Sequence, residues 1–321
     1  MSPASLVSIV VPAFNSAVVI EQTLQSIQAQ TFKNFEVIVV DDGSTDNTVA
    51  VTRRICESDP RFVLVTQPHG GVSAARNTAI ARARGKFIAF LDADDVWFPE
   101  KLARQMELFR TEPRMNFAYS NFYFWDGVHD KGIYYKASHS MPDGDAAAEL
   151  VFANVYAGIC TVVVRRELLA GDLCFDETLT TGCEDWDLWL RMAECGLGAR
   201  GIREPLARYR RWAGNMSNRR LKMAEGDVRV LEKNLRTTRR PELRPLYKRS
   251  LAIARSKLEL VRARQFIETQ PDAMPAAVWR TWRLHPRQFK WLMRFVLLTW
   301  PKPLGGRVTE RIVHRKLIQE L

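Results

Sequence analysis

Apolar residues in the first third of the chain follow two alternating patterns, short continuous runs and longer stretches with a period of three to four. The continuous runs, rich in Val, Ile and Phe, predict buried strands, and the periodic stretches predict amphipathic helices. The predicted strands are 7–11, 35–40, 62–65 and 86–91, and the predicted helices are 15–27, 46–55 and 72–84. Strands that are apolar on both faces and alternate with helices indicate a mainly parallel sheet flanked by helices. The predicted fold class is therefore α/β, with a ligand site beyond the carboxyl ends of the strands.

The rest of the chain is less regular. The strand pattern returns at 117–124 and 160–164, and the helical pattern returns at 184–195. The polar, turn-rich segment 126–145 is predicted to have no regular structure. From Asn218 the pattern is helical but is interrupted by prolines. We therefore predict an α/β domain over 1–217 and a helical extension over 218–321.

Positive charge is concentrated in the predicted extension. The net charge is +11, but residues 218–321 hold 25 Lys and Arg against 9 Asp and Glu, whereas residues 1–217 hold 22 against 27. A basic region of this kind raises an anionic membrane or a nucleic acid as a partner. Within 276–300, basic residues alternate with Trp, Phe and Leu at helical spacing, which is typical of a helix lying in a membrane interface. The alternative is that these aromatic residues pack in a core and the basic residues form a solvated face.

Further features narrow the class of protein. Nucleic acid is not expected, because the acidic body would repel its phosphates. The five cysteines include no CxxC pair, so neither a disulfide framework nor a zinc site is predicted. No apolar run approaches the roughly 20 residues of a membrane span, and the N-terminus lacks a signal-peptide pattern. We expect a cytoplasmic protein, peripheral on the inner face of the cell membrane if 276–300 binds lipid; the sequence does not indicate the oligomeric state.

Acidic residues follow two of the predicted strands. Asp92, Asp94 and Asp95 come after the fourth strand, where neighbouring carboxylates repel one another unless a cation lies among them. Oxygen ligands suit Mg²⁺ or Mn²⁺, although an acidic turn before a helix explains the same residues. Asp41 and Asp42 follow the second strand. That turn is either an ordinary start of a helix or a place where a carboxylate accepts a hydrogen bond from a nucleobase.

Five segments in order carry a resemblance to a known family. They are 7–15, 39–46, 71–77, 92–95 and 184–185. The third follows Gly70 at the start of a helix, a place that attracts phosphate. Each segment alone is a weak signal, but the series closely resembles the family 2 inverting glycosyltransferases with the GT-A fold, over roughly residues 6 to 217. The resemblance implies a GT-A nucleotide-sugar-binding and catalytic domain over 1–217.

The resemblance also implies a donor site. Phe14 would pack against the base, in a pocket lined by Pro12 and Asn15 as well. Asp42 would accept the uracil N3–H, with Asp41 as its neighbour. A uridine diphosphate sugar is therefore the expected donor, and thymine, which presents the same N3–H, leaves a dTDP-sugar open.

Residues expected around the diphosphate follow from the same resemblance. Arg76 would help to hold the nucleotide. Asp94 and Asp95, in the run that begins at Asp92, would match the family's metal and ribose motif, so the expected cofactor is Mn²⁺ or Mg²⁺. Spacing leaves open which of the three carboxylates ligates the metal. Asp94 is also a candidate for contact with the donor.

The family's general base would correspond to Asp185, although acidic residues at a helix start also complement the helix dipole. Glu184 and Trp186 are candidates for contact with the acceptor or diphosphate, with core packing as the alternative for the tryptophan. Arg210 and Arg211 are candidates for contact with the diphosphate. Many family members carry a His near here that assists at the metal, and this chain has Trp212 instead, which leaves a metal-independent variant open.

The resemblance thus implies a metal-dependent, inverting glycosyltransferase that acts on a cell-surface glycan acceptor, lipid-linked in many relatives. A nucleotidyltransferase of sugar activation would also need an α/β nucleotide site and acidic metal ligands, but it usually has a Gly-rich N-terminal loop that this chain lacks. A non-catalytic nucleotide-sugar or nucleic-acid binding module would not need Asp185. His69, His129 and His139 show no ligand or nucleophile spacing and are expected at loop positions.

Overall fold

A computed structural model of the chain describes residues 6–156, 158–212, 215 and 218–269. The chain divides into two compact units, residues 1–254 and residues 255–321. In the second unit the structure describes 255–269, which are helical. The predicted membrane-interface stretch 276–300 lies outside the described residues.

The first unit is built on one mixed sheet. Its strands are β1 (Val7–Ala13), β2 (Phe35–Asp41), β3 (Phe62–Thr66), β4 (Phe87–Phe90), β5 (Val96–Trp97), β6 (Phe117–Trp125), β7 (Asp130–Ile133), β8 (Val163–Arg165) and β9 (Ala199–Arg210). Their order is β3-β2-β1-β4-β8-β6-β9-β5, and β7 pairs with β6. The first four strands in this order are parallel, and β8 is antiparallel to both of its neighbours. The predicted α/β class is confirmed, and the sheet, predicted as mainly parallel, is mixed, because β5, β7 and β8 pair antiparallel with their neighbours.

Helices cover both faces of the sheet. They are α1 (Ile20–Gln28), α2 (Thr48–Ser58), α3 (Val72–Arg82), α4 (Lys101–Thr111), α5 (Ala147–Phe152), α6 (Glu184–Glu194), α7 (Arg220–Thr237) and α8 (Arg244–Thr269). Alternate residues of β1 point to opposite faces, so Ile9 and Val11 join one apolar cluster and Val10 joins the other. The first cluster includes α1 and α4, and the second includes α3, α5 and α6. The pairing of β1 with β2 and with β4 places the carboxyl ends of these three strands side by side.

Two segments differ from the sequence-based expectation. The segment 126–145 contains β7 and a bridge between Gly144 and Ala199, although no regular structure was predicted there. Strand β9 is 12 residues long and was not predicted, because it carries several charged residues and is only partly buried. It pairs with β6 along its length and with β5 near its end, which brings Arg210 to the acidic turn after β4.

Helix α7 belongs to the first compact unit. Its Asn234 donates to Oδ1 of Asp187 in α6 at 2.9 Å, and its Lys233 lies 2.8 Å from Oδ2 of the same carboxylate. Asp187 is completely buried and also accepts from Arg191 at 2.8 Å. The boundary predicted between 217 and 218 therefore falls inside this unit, which extends to Ala254.

Replacement of Asp187 tests how much α7 contributes to the stability of this unit. Asp187→Ala removes the buried acceptor of Lys233, Asn234 and Arg191 and should lower the free energy of unfolding by about 3 kcal/mol. Asp172→Ala, at a side chain that is 93% exposed, is the control and should change it by less than about 0.5 kcal/mol. Urea unfolding followed by circular dichroism measures both, and equal effects would contradict the assignment.

Candidate active site

The end of β1 is joined to the turn after β2. Pro12 is buried in β1, and Phe14 and Asn15 follow the strand at exposed positions. The backbone N–H of Asn15 donates to the Ser44 hydroxyl at 2.9 Å, and its side-chain oxygen accepts from the Thr45 N–H at 2.8 Å. These two hydrogen bonds fix the segment that carries Phe14, which is 45% exposed at the edge of the predicted nucleoside pocket. The three residues predicted to line the nucleoside pocket lie together.

Asp41 and Asp42 are both buried at the end of β2. Asp41 accepts from the backbone N–H of Ser44 at 3.1 Å. Asp42 turns toward the loop before α3, where it accepts from Gln67 Nε2 at 2.7 Å and from the backbone N–H groups of Gly70 and Gly71 at 2.9 and 2.8 Å. The two predicted motifs after β2 and before α3 are therefore joined through the Asp42 carboxylate.

The three carboxylates after β4 have different surroundings. Asp92 is partly exposed, and Asp94 accepts from the indole N–H of Trp212 at 3.0 Å. Asp95 is buried, where it accepts from the backbone N–H of Arg210 at 2.8 Å and lies beside Cys160. Burial raises the pKa of Asp94, and Asp92 raises it further. Burial likewise raises the pKa of Asp95 well above its usual range, and the neighbouring Asp94 and Asp92 carboxylates add to the effect.

Arg76 in α3 connects two parts of the site. Its guanidinium, which is 2% exposed, donates to Oδ1 of Asp92 at 2.7 Å and to Oε1 of Glu184 at 2.6 Å. Burial alone would lower its pKa, but the two carboxylates raise it above its usual value. The nucleotide-holding position predicted for Arg76 is thus a buried position with two partners inside the chain. Arg76 links the acidic turn after β4 to the first turn of α6.

Asp185 lies in the first turn of α6, next to Glu184. Asn154 Nδ2 donates to its Oδ2 at 3.0 Å, and the backbone N–H of Trp186 donates to its Oδ1 at 2.7 Å. Burial raises the pKa of Asp185 well above that of an ordinary aspartate and Glu184 raises it further, whereas Arg76 opposes them. Trp186 itself is buried, and its indole donates to the Leu150 carbonyl at 2.7 Å. Trp186, a candidate for contact with the acceptor or diphosphate, is thus part of the core, as the alternative interpretation had it.

The turn before Asp185 has an unusual backbone. Cys183, the residue before α6, has φ 68°, a left-handed conformation that is disfavoured for a residue with a side chain. Gly226 of α7 packs against this turn so closely that a Cβ at position 226 would lie 3.0 Å from the Gly182 carbonyl oxygen and 3.1 Å from the Cys183 sulfur. Helix α7 thus packs against the turn that precedes and positions Asp185.

The segment after β9 contacts the acidic turn from the other side. Arg210 is buried, with Nε donating to the Asp94 carbonyl at 2.7 Å and Nη2 donating to Gln22 at 2.6 Å. Arg211 is exposed, and its guanidinium lies 4.2 Å from the centre of the Phe124 ring. The indole N–H of Trp212, at the position where the family resemblance leads us to expect a His, donates to Asp94, but an indole N–H is a donor only and cannot ligate a metal.

Across 6–156, 158–212, 215 and 218–269, no three His, Cys, Asp or Glu side chains form a ready-made metal site. The carboxylates after β4 nevertheless fit a divalent ion that is completed by substrate phosphates, because Mg²⁺ is usually held by one or two carboxylates in this way. The mutual repulsion that raises the pKa of Asp94 and Asp95 would be offset by such an ion.

Sequence patterns did not reveal two contacts of the site. Asn154 lies in a segment without a motif and reaches Asp185 only after folding. His69 was expected as a loop residue, and it is one, but its imidazole stacks on Phe14 and contacts Asp42. Its place next to Gly70 and Gly71 is the signal that would have singled it out.

Comparisons with known proteins place these features in a family. The sequence profile described as Glycosyl transferase family 2 matches residues 8–167. The UDP-Glc:alpha-D-GlcNAc-diphosphoundecaprenol beta-1,3-glucosyltransferase WfaP of Escherichia coli is 33% identical over 218 residues, covering 68% of this chain and 82% of the relative. The sequence relationship favours a glycosyltransferase over the nucleotidyltransferase and binding-module alternatives.

Solved structures show the same fold. TarS of S. aureus, in complex with UDP, superposes with a TM-score of 0.57 at 20% identity, covering 84% of this chain and 74% of that chain. The mannosyltransferase PcManGT of Pyrobaculum calidifontis, in complex with GDP-Man and Mn²⁺, gives a TM-score of 0.60 at 19% identity. This superposition covers 99% of this chain and 81% of that chain. The predicted GT-A fold is confirmed. No helix in the described part of the chain has the length and apolar character needed to cross a membrane.

Proposed function

The chain belongs to glycosyl transferase family 2, and on that premise we propose that it transfers a sugar with inversion from a UDP-sugar to an acceptor hydroxyl in cell-surface polysaccharide or glycolipid synthesis. The observation that carries the proposal is the position of Asp185. It lies at the start of α6, fixed by Asn154, and is linked through Glu184 and Arg76 to the acidic turn after β4. A base and a site for the leaving group therefore belong to one connected framework.

Inversion at the anomeric carbon needs a base on the acceptor hydroxyl. The Asp185 carboxylate would take that proton as the acceptor oxygen attacks, and the Asn154 amide would hold its orientation. Its raised pKa makes the carboxylate a stronger base than an ordinary aspartate while it remains ionised near neutral pH. Arg76 limits this rise by its positive charge and keeps Glu184 in place beside the base.

The donor base is proposed to bind where β1 and β2 end. The face of Phe14 would stack on uracil, and Asp42 would accept its N3–H, with Pro12, Asn15 and Asp41 shaping the same pocket. Relatives support uridine as the nucleoside, since WfaP is named for UDP-Glc and TarS was solved with UDP. Thymidine presents the same hydrogen-bonding edge, so a dTDP-sugar would fit the same contacts.

The diphosphate is proposed to lie over the acidic turn. Asp92 and Asp94 are the carboxylates proposed to hold a Mg²⁺ or Mn²⁺ ion, while Asp95 faces inward to the backbone of Arg210. A divalent ion in this position would offset the charge that develops on the leaving diphosphate. Arg211 is exposed on the same side and is proposed to contact the diphosphate or the acceptor.

A lipid-linked glycan is the proposed acceptor, because the name of WfaP includes a diphosphoundecaprenol-linked sugar. An enzyme with such an acceptor works at a membrane surface. We therefore propose peripheral association with the cytoplasmic face of the cell membrane through the basic, aromatic stretch 276–300.

Asp185→Asn tests the proposed base. The amide keeps the shape of the side chain but cannot accept the proton, so the rate of transfer should fall by about 10²- to 10⁴-fold while UDP binding stays within about twofold. Transfer is measured as UDP release in the presence of acceptor, and binding is measured by calorimetry. Asp172→Asn, at an exposed position, is the matched control. Turnover near that of the unmodified protein would remove Asp185 from this role.

The pH dependence of transfer tests the contribution of Glu184. The base works only when ionised, so kcat/KM should fall as the pH drops through the raised pKa of Asp185. Glu184→Gln removes a like charge and leaves Arg76 less neutralised, and both effects lower that pKa. The acid limb should therefore move to lower pH by about one unit. Glu107→Gln, an exposed residue paired with Arg110, should leave the limb in place; a shift to higher pH in Glu184→Gln would contradict the assignment.

Asp94→Asn tests the proposed metal site. Loss of one charged ligand should weaken the apparent affinity for Mn²⁺ by about 10-fold or more, so that a higher concentration of Mn²⁺ is needed for half-maximal transfer. EDTA should abolish transfer by the unmodified protein, and added Mn²⁺ should restore it. Asp126→Asn, in the turn before β7, is the control. Full activity of the unmodified protein in EDTA would show that the reaction does not use a divalent ion.

A further inference from the structure

The proposed base pocket contains a side chain of the protein itself. The rings of Phe14 and His69 are stacked, with their centres 4.3 Å apart and their planes 27° apart. This spacing is that of two aromatic rings in direct contact and leaves no room for a third ring between them. A uracil that stacks on this face of Phe14 would occupy the volume of the His69 imidazole.

His69 also makes the polar contact expected of the base. Its Nδ1 lies 2.8 Å from Oδ2 of Asp42 and makes a hydrogen bond of 3.1 Å with the backbone carbonyl of the same residue. Carboxylate and carbonyl oxygens act as acceptors here, so Nδ1 carries the proton in these contacts. The imidazole therefore offers a flat face to Phe14 and a ring N–H to Asp42, which are the two features that a uracil offers through its ring and its N3–H.

The Asp42 carboxylate is already closely surrounded. Oδ1 accepts from Gln67 Nε2 and from the N–H of Gly70, Oδ2 accepts from the N–H of Gly71, and Nδ1 of His69 lies 2.8 Å from Oδ2. Two carboxylate oxygens offer about four acceptor positions, so three are used and the His69 ring stands at the fourth. His69 must move before a nucleobase N–H can bind there.

His69 is the donor that can leave most easily. The Gly70 and Gly71 donors are backbone groups at the start of α3, and the Gln67 amide is partly buried. The His69 side chain is 58% exposed, so it can rotate away from Asp42 into solvent. Its backbone packs closely against Gly43, where a Cβ would lie only 2.9 Å from the His69 backbone nitrogen.

We propose that His69 occupies the place of the donor base in the nucleotide-free protein, and that uracil binds by displacing it from Phe14 and Asp42. The proposal rests on the uridine donor proposed above and adds the residue that competes with it. Because the bound ring must replace a ring N–H, the pocket selects against adenine and cytosine, which have no ring N–H on the pairing edge.

Calorimetric titration of the full chain with UDP and Mn²⁺ tests the proposal. His69→Ala removes the internal competitor, so UDP should bind about 3- to 10-fold more tightly than to the unmodified protein. His69→Phe keeps a ring on Phe14 but cannot donate to Asp42, and its affinity should lie between the two. His129→Ala, in an exposed loop, is the matched control and should bind as the unmodified protein does.

The outcomes separate this proposal from the proposed function. Unchanged or weaker binding of UDP to His69→Ala, with normal binding to the unmodified protein, would overturn the displacement of His69 and leave the uridine donor standing. Absence of UDP binding to the unmodified protein and to His69→Ala alike would overturn both. Tighter binding to His69→Ala with no change in His129→Ala would support both.

Discussion

The contacts of Arg76 hold together parts of the site that are far apart in the sequence. Its buried guanidinium joins Asp92, at the end of β4, to Glu184, at the start of α6. A buried Arg is stable only when its charge is paired, and here both partners belong to the proposed active site. The Arg76 side chain therefore links the acidic turn to the helix that carries the proposed base Asp185. Asn154, Trp212 and α7 make further contacts with the two parts that Arg76 joins.

The sequence was informative where a single physical pattern dominates. Strands β1, β2 and β4 are apolar on both faces because helices cover both sides of the sheet, so their positions were predictable from short apolar runs. The acidic turns at their ends were recognisable because Asp residues accumulate where a parallel sheet binds ligands. The same reasoning could not find β9, because its residues show no alternating apolar pattern and its pairing with β6 forms only in the folded sheet.

Partners of the site residues depend on contacts between distant segments and were therefore hidden. Asn154 and Asp185 are separated by 31 residues, and Arg76 and Glu184 by 108. The role of Trp186 was ambiguous in the sequence because an apolar helix face and a sugar-binding face look alike. The buried environment of its indole in the structure assigns it to the core. Trp212 departs from the expected family pattern but still contacts Asp94. Its indole N–H donates a hydrogen bond to that carboxylate, whereas a His could have served as a metal ligand.

The close approach of Gly226 to the turn before α6 has a consequence for recombining relatives of this protein. The contact is made by the backbone and sulfur atoms of Gly182 and Cys183 against a helix with no side chain at that position, so a different α7 would meet the turn with a different shape. Exchange of the C-terminal regions of two relatives at the end of β9 would therefore separate the turn from the helix that packs against it. A hybrid that inherits both α6 and α7 from one parent keeps the turn and its support as a matched pair.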